Sequence, residues 1–123
     1  MKENIRLGKV GEQIAADYLR KKSYRIVETN YRAKQYGEVD IIARHPTTNT
    51  LVFVEVKTRV GDEFGRPEEA VTKGKMAELK KMVAYYYNEN PNTKLSPQID
   101  VIGIILFPDE TISSFEHFEN VTL

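Results

Sequence analysis

Gly37-Glu38-Val39-Asp40-Ile41-Ile42-Ala43-Arg44 and Leu51-Val52-Phe53-Val54-Glu55-Val56-Lys57-Thr58-Arg59 are the two stretches that decide how this chain folds. Both are rich in Val and Ile, the composition of a strand. The segment between them, His45-Pro46-Thr47-Thr48-Asn49-Thr50, is turn-forming and too short for a crossover. The pair therefore predicts an antiparallel hairpin. Alternate side chains of a strand share a face. Val52, Val54 and Val56 form a core face, which sends Phe53, Glu55, Lys57 and Arg59 to the other. On the first strand Glu38, Asp40 and Ile42 share one face, and Val39, Ile41 and Ala43 the opposite one. A turn centred between Thr47 and Thr48 sets residues whose numbers sum to 95 across from each other. Asp40 then faces Glu55, with Cβ atoms about 5 Å apart.

Outward from the hairpin, residues 4–22 predict a helix, with Leu7, Val10, Ile14 and Tyr18 at the helical period. Residues 24–32 predict a strand centred on Ile26 and Val27. Residues 60–72, with Gly61, Gly65 and Pro67, read as a loop. Thr72 is placed to cap a helix over 73–89, whose apolar face is Met76, Leu79, Met82, Val83 and Tyr86 and which Asn90-Pro91-Asn92 ends. Ile99 to Phe107 is a nearly continuous apolar run, as in a strand buried on both faces. After the turn at Pro108-Asp109-Glu110, Ile112 to Phe118 predicts a last strand. The order α-β-β-β-α-β-β implies an α/β fold: one mixed sheet of about five strands with a helix on each face.

At 123 residues, 41% hydrophobic and 29% charged, the chain has the composition of one folding domain spanning 1–123. Cysteine is absent, which excludes disulfides, thiol catalysis and cysteine-ligated metals. His45 and His117 are far apart and neither is given a role; a metal here would be a hard cation held by oxygen. No apolar run approaches the roughly 20 residues of a membrane span. The start, Met1-Lys2-Glu3-Asn4-Ile5-Arg6, lacks the apolar region of a secretory signal, so a cytoplasmic protein is expected. Net charge is zero but uneven: +5 over residues 1–34, −3 over 35–72, +3 over 73–97 and −5 over 98–123. Nucleic-acid binding requires one basic face, not a basic chain; solvated helix faces give the same pattern.

Two carboxylates facing each other across a hairpin repel. A divalent cation offsets this, and Lys57 can help. Scattered charge on a solvated sheet face is the plainer reading of Glu55 and Lys57. Against it, both acids lie inside the most apolar stretches of the chain. A third acid, Glu12, has Ile5, Gly8, Ala16 and Leu19 as its neighbours on the first helix. It is either a glutamate at the rim of the buried face or a carboxylate directed at the hairpin.

Asp40, then fourteen residues, then Glu55-Val56-Lys57, matches the D…E-x-K signature of the PD-(D/E)xK nucleases. Around it stand, in order, Leu7-Gly8-Lys9-Val10-Gly11-Glu12, Asn30-Tyr31-Arg32, Gly37 to Ile42, Val52 to Arg59, Phe64-Gly65, Ala70-Val71 and Asp100-Val101-Ile102. Over nearly its whole length the chain resembles the YraN family of small bacterial proteins, commonly described as predicted endonucleases and similar to archaeal Holliday junction resolvases. The resemblance implies a restriction-endonuclease-like fold and a site of Glu12, Asp40, Glu55 and Lys57. It departs at Gln98-Ile99, where the family usually carries a basic residue and Phe.

On that reading Asp40 and Glu55 hold Mg²⁺ or Mn²⁺ with the Val56 carbonyl, and Glu12 binds the ion through water or helps place a second one. Lys57 orients the attacking water or stabilises developing charge. Arg32, Lys34, Arg59 and Lys75 are the candidate phosphate contacts, Lys75 leaning inward along the line of Leu79, Met82 and Tyr86; its alternative is a snorkelling side chain. Arg20, Lys21, Lys22 and Arg25 could extend that surface or simply be a solvated helix end. Tyr85-Tyr86-Tyr87 invites base stacking, but Tyr86 falls on the core stripe. The expected function is metal-dependent hydrolysis of DNA, with branched or flapped DNA favoured by the resolvase resemblance. The competing readings are a nucleic-acid-binding module that keeps the fold and cuts little, and an interaction protein docking through its acidic C-terminal segment. Cutting a junction in two strands would call for a symmetric homodimer.

Overall fold

Apolar side chains on both faces of the central strands require a covering layer on each side, and the two helices provide them. The computed structural model of the chain describes residues 2–61 and 65–121; Phe64 of the motif series lies outside these. Helix α1 (Lys2–Lys21) is followed by strands β1 (Arg25–Ala33), β2 (Gly37–Arg44) and β3 (Thr50–Val60). A 3₁₀ turn at Pro67–Ala70, inside the expected loop, precedes helix α2 (Lys73–Glu89) and strands β4 (Ser96–Leu106) and β5 (Ile112–Phe118). The sheet order is β1-β2-β3-β4-β5. All neighbours are antiparallel except β3 and β4, which run parallel from Thr50↔Ser96 to Val60↔Leu106 with α2 as their crossover.

The α1 side of the sheet buries Ala15, Ala16 and Leu19 against Ile41, Ala43, Val52, Val54, Val56, Ile102 and Ile104. The α2 side buries Met76, Leu79, Met82 and Tyr86 against Val39, Ile42, Leu51, Phe53 and Ile99. Each fully buried Val, Leu, Ile, Met or Phe among these contributes roughly 1.5–3 kcal/mol relative to exposure. Thr72 caps α2, its Oγ1 accepting from the Lys75 N–H at 3.2 Å. No helix among the described residues is long and apolar enough to cross a membrane.

The hairpin has the expected register: Ile41↔Val54, Ile42↔Phe53, Ala43↔Val52 and Arg44↔Leu51. One expectation about its faces fails. Val39 packs on the α2 side with Ile42, whereas Ile41 and Ala43 pack on the α1 side. Strict alternation is thus interrupted at Asp40. The cause lies in the neighbouring strand, where Asn30 stands between the pairs Thr29↔Ile41 and Tyr31↔Val39 and takes a left-handed φ of 52°. That local turn of the backbone re-aims the strand pair.

Candidate active site

Asp40 sits where the β2–β3 ladder ends, and its side chain takes over from the backbone. Oδ2 accepts the Val56 N–H at 2.7 Å. A carboxylate used this way is fixed in direction, and it contacts acids on both sides: Glu12 from α1 and Glu55 from β3. Glu12, Asp40 and Glu55 therefore converge, and Lys57 is near enough for its charge to favour the ionised form of Glu55.

All three carboxyls are harder to ionise than usual. Burial is the main cause for each. For Glu12, repulsion from Glu38 adds to it, and hydrogen bonds with Asp40 and Asn30 oppose it. Asp40 is relieved in part by its hydrogen bonds with Glu55 and the Val56 N–H, and pushed back by Glu12 and Glu38. Glu55, only 3% exposed, is the extreme. Burial, then the hydrogen bond and charge of Asp40, push it up to about 8 against the pull of Lys75 and Lys57.

Lys75 Nζ lies 3.2 Å from Glu55 Oε2 and 2.6 Å from Glu78 Oε2. Burial disfavours its charge, but Glu78 and Glu55 outweigh that and hold its pKa above the ordinary lysine value. A phosphate contact from Lys75 would require these pairs to open. The contact with Glu55 is an ion pair without hydrogen-bond alignment, so Glu55 Oε2 is a buried acceptor with no hydrogen bond. Gly37 keeps room for the arrangement: at φ 124°, a Cβ there would fall 2.6 Å from Glu78 Cδ.

Of the other expected contacts, Arg32 pairs with Glu38 at 3.1 Å, Lys34 is exposed in the β1–β2 turn, and Arg59 is half-buried with Nε unpartnered. Val56 is buried on the α1 side. Sequence reasoning missed three contributors. In the amide orientation that satisfies its neighbours, Asn30 Nδ2 donates to Glu12 Oε1 at 3.0 Å and to Glu38 Oε1 at 2.9 Å. Glu38 and Asn30 both lay in the quoted motifs, which was the available signal. Lys9 was the third: with Arg20 and Gln13 it borders an open groove of about 320 Å³ that ends on Glu12 and Asp40.

A second group of ligand-type side chains lies on β4 and at the end of β5, with Asp100 paired to Val54, the residue before Glu55. Asp100, His117 and Glu119 offer atoms within 4.8 Å of one another and could hold a cation. Asp100 is fully buried and already engaged. Its Oδ2 is 2.7 Å from His117 Nε2, and its Oδ1 accepts from Gln98 Nε2 and the Asn120 N–H, both at 2.9 Å. Gln98, at the departure from the family pattern, thus serves Asp100. His117 Nδ1 is 2.9 Å from the Tyr18 hydroxyl. His45 has a local role, its Nδ1 accepting the Thr47 and Thr48 N–H groups in the hairpin turn.

Proteins similar to this chain share most of its length. A protein of Syntrophus aciditrophicus is 42% identical over 109 residues, 89% of this chain and 84% of its own. One from Syntrophomonas wolfei is 41% identical over 117 residues, covering 95% and 97%. A Mycobacterium tuberculosis protein is 40% identical over 104 residues, covering 85% and 80%. All three bear only the family designation UPF0102. The profile described as "Uncharacterised protein family UPF0102" matches residues 11–104, a span that contains Glu12, Asp40, Glu55, Lys57 and Lys75. The chain belongs to that family, the YraN family its motifs resemble.

Proposed function

We propose that the protein is a metal-dependent endonuclease hydrolysing DNA phosphodiester bonds at Glu12, Asp40, Glu55 and Lys57. The observation that carries this is the meeting of three carboxyls, two of them on adjacent strands, with all three held above their ordinary pKa and one buried oxygen of Glu55 lacking a hydrogen bond. Such a group repels phosphate unless a cation intervenes. The donors are hard oxygens, which suit Mg²⁺ or Mn²⁺.

Asp40 and Glu55, with the Val56 carbonyl, would hold the ion, and Glu12 would reach it through water. Bound there, a divalent cation supplies a Lewis acid and lowers the pKa of its water. Asp40 is held in place by the Val56 N–H, so its direction needs no reorganisation. Glu55 must give up its proton to become a ligand, and Lys57 and Lys75 both favour that. Lys57 orients the attacking water and stabilises charge growing on the phosphoryl oxygens. Lys9 and Arg20, which border the groove at Glu12 and Asp40, are candidates for the flanking phosphates, with Lys34 and Arg59 as further basic residues.

A second reading rests on Lys75. Its ammonium already balances Glu55 without a metal, as a binding module that does not cut would require. Cleavage by purified protein of labelled duplex, flap, four-way and single-stranded DNA with Mn²⁺ separates the two. Nicked product from the parent and none from Glu55→Gln supports the nuclease. Equal cutting by both points to a contaminant, and DNA binding without any cutting favours the module.

A further inference from the structure

Tyr86 occupies the core as its position on the apolar stripe requires, but Tyr85 does not follow it. Tyr85 turns toward the β1–β2 turn, where its ring lies 5.9 Å from that of Tyr36 and 6.1 Å from that of Tyr31. Tyr36 is 40% exposed, a large aromatic surface at the tip of a turn. With Lys81, Ala84 and Asn88 the two rings border an open groove of about 460 Å³. A line of side-chain contacts leads from the groove to the carboxylate site. Gly37, next to Tyr36, lies under Glu78; Glu78 holds Lys75, and Lys75 meets Glu55. Tyr85 is ten residues beyond Lys75 on the same helix, about 15 Å along the axis. That distance is about four stacked nucleotides at 3.4 Å each.

We infer that the Tyr36–Tyr85 groove seats an unpaired base of the DNA strand whose phosphate lies at the carboxylate cluster, a step that rests on the nuclease reading. Aromatic faces bind any base by stacking, and a base has a free face only where the strand is not in continuous duplex. Lys81 at the groove and Lys34 in the same turn as Tyr36, both exposed, match the charge of the flanking phosphates. The Asn88 amide can meet a base edge with either donor or acceptor. The site thus selects a single-stranded segment beside the bond to be cut, without selecting its sequence.

The chain contains no tryptophan, so Tyr36→Trp introduces a single indole reporter. With EDTA present to prevent cutting, the parent should bind a single-stranded oligonucleotide about tenfold more tightly than an abasic strand of equal length, the scale of one stacking contact. Tyr36→Ala and Tyr85→Ala should each remove that preference, and Tyr36→Phe should keep it. The indole of Tyr36→Trp should be quenched by the base-bearing strand and not by the abasic one. An unchanged preference in both alanine variants, or an indole indifferent to bases, overturns the inference. If that happens while Mn²⁺-dependent cutting persists and is lost in Glu55→Gln, the stacking groove alone falls. If the parent binds no DNA at all, with Mn²⁺ or without it, the groove and the nuclease reading fall together.

Discussion

Glu55 is where burial and charge conflict most sharply. An ordinary glutamate ionises near 4.5, and this one is pushed up to about 8. Between those values the unfolded chain has released the proton and the folded chain still binds it. Stability therefore declines as pH rises through this window and levels off above about 8. The metal-free protein should lose several degrees of Tm between about pH 5 and about pH 8, and Glu55→Gln should flatten most of that slope. On the nuclease reading Mn²⁺ binds the ionised carboxylates, so it should raise Tm more at pH 8 than at pH 6 and release protons on binding below pH 8. Thermal melts across pH, with and without metal, measure all of this; a parent Tm that rises with pH would contradict the assignment of Glu55. On the same reading Lys57 is a different case because it is no ligand. Lys57→Ala should lower cleavage at least about 100-fold, the lower end for losing a catalytic group. Calorimetry should show its Mn²⁺ affinity close to the parent's, and a parallel loss of both would make Lys57 part of the metal site itself.

At the scale of elements, the site depends on how closely α1 lies on β3. Glu12 can reach Asp40 because its neighbour Gly11 has no side chain: a Cβ there would fall 1.8 Å from Thr58 Oγ1 and 2.9 Å from Thr58 Cβ. Gly11→Ala must push the helix outward, at a cost of about 1–3 kcal/mol for overpacking. Thr58 Oγ1 is buried without a hydrogen bond, so Thr58→Ala alone should cost little. In the double variant Thr58→Ala should return part of the loss but not all, because the Thr58 Cβ contact remains. Urea denaturation of the four proteins as a double-mutant cycle reads this directly, and strict additivity would show that helix and strand do not meet there. The same elements show what a sequence reveals and what it conceals. The hairpin register was legible because alternating valines fix one face and a six-residue turn fixes the pairing. The interruption at Asp40 was not, since it originates in the φ of Asn30, and asparagine tolerates the left-handed region without requiring it. The convergence of Glu12 and Asp40 was legible only as a helix margin beside small residues. The grip of Glu55 on Lys75 was hidden because it joins a helix to a strand through side chains far apart in sequence, whereas that of Glu78 is an ordinary i,i+3 pair within α2.

Across the whole molecule, two ligand-type clusters stand in the same sheet, and their surroundings assign them different work. Asp100, His117 and Tyr18 form a chain of hydrogen bonds that ties β4 to β5 and β5 to α1. Every oxygen of Asp100 is used by a protein donor. A buried acid satisfied in this way has no need of a cation, and its network holds the edge strand β5 in place. Glu55 keeps an oxygen without a hydrogen bond and needs outside charge to ionise. The two clusters should therefore separate cleanly in one measurement, the shift in Tm on adding Mn²⁺. His117→Ala leaves Asp100 short of a partner and should cost about 1–3 kcal/mol, roughly 5–10 °C for a chain of this size. Its Mn²⁺ shift should nevertheless stay close to the parent's, because the free energy that binding adds depends only on ion affinity and concentration. Glu55→Gln should behave the other way, with a metal-free Tm at pH 8 equal to or above the parent's and no shift with Mn²⁺. The reverse pattern, a shift lost in His117→Ala and kept in Glu55→Gln, would place the ion between β4 and β5. Asp40 and Glu55 would then be a strained structural pair held by Lys75, and the nuclease chemistry would lose its centre.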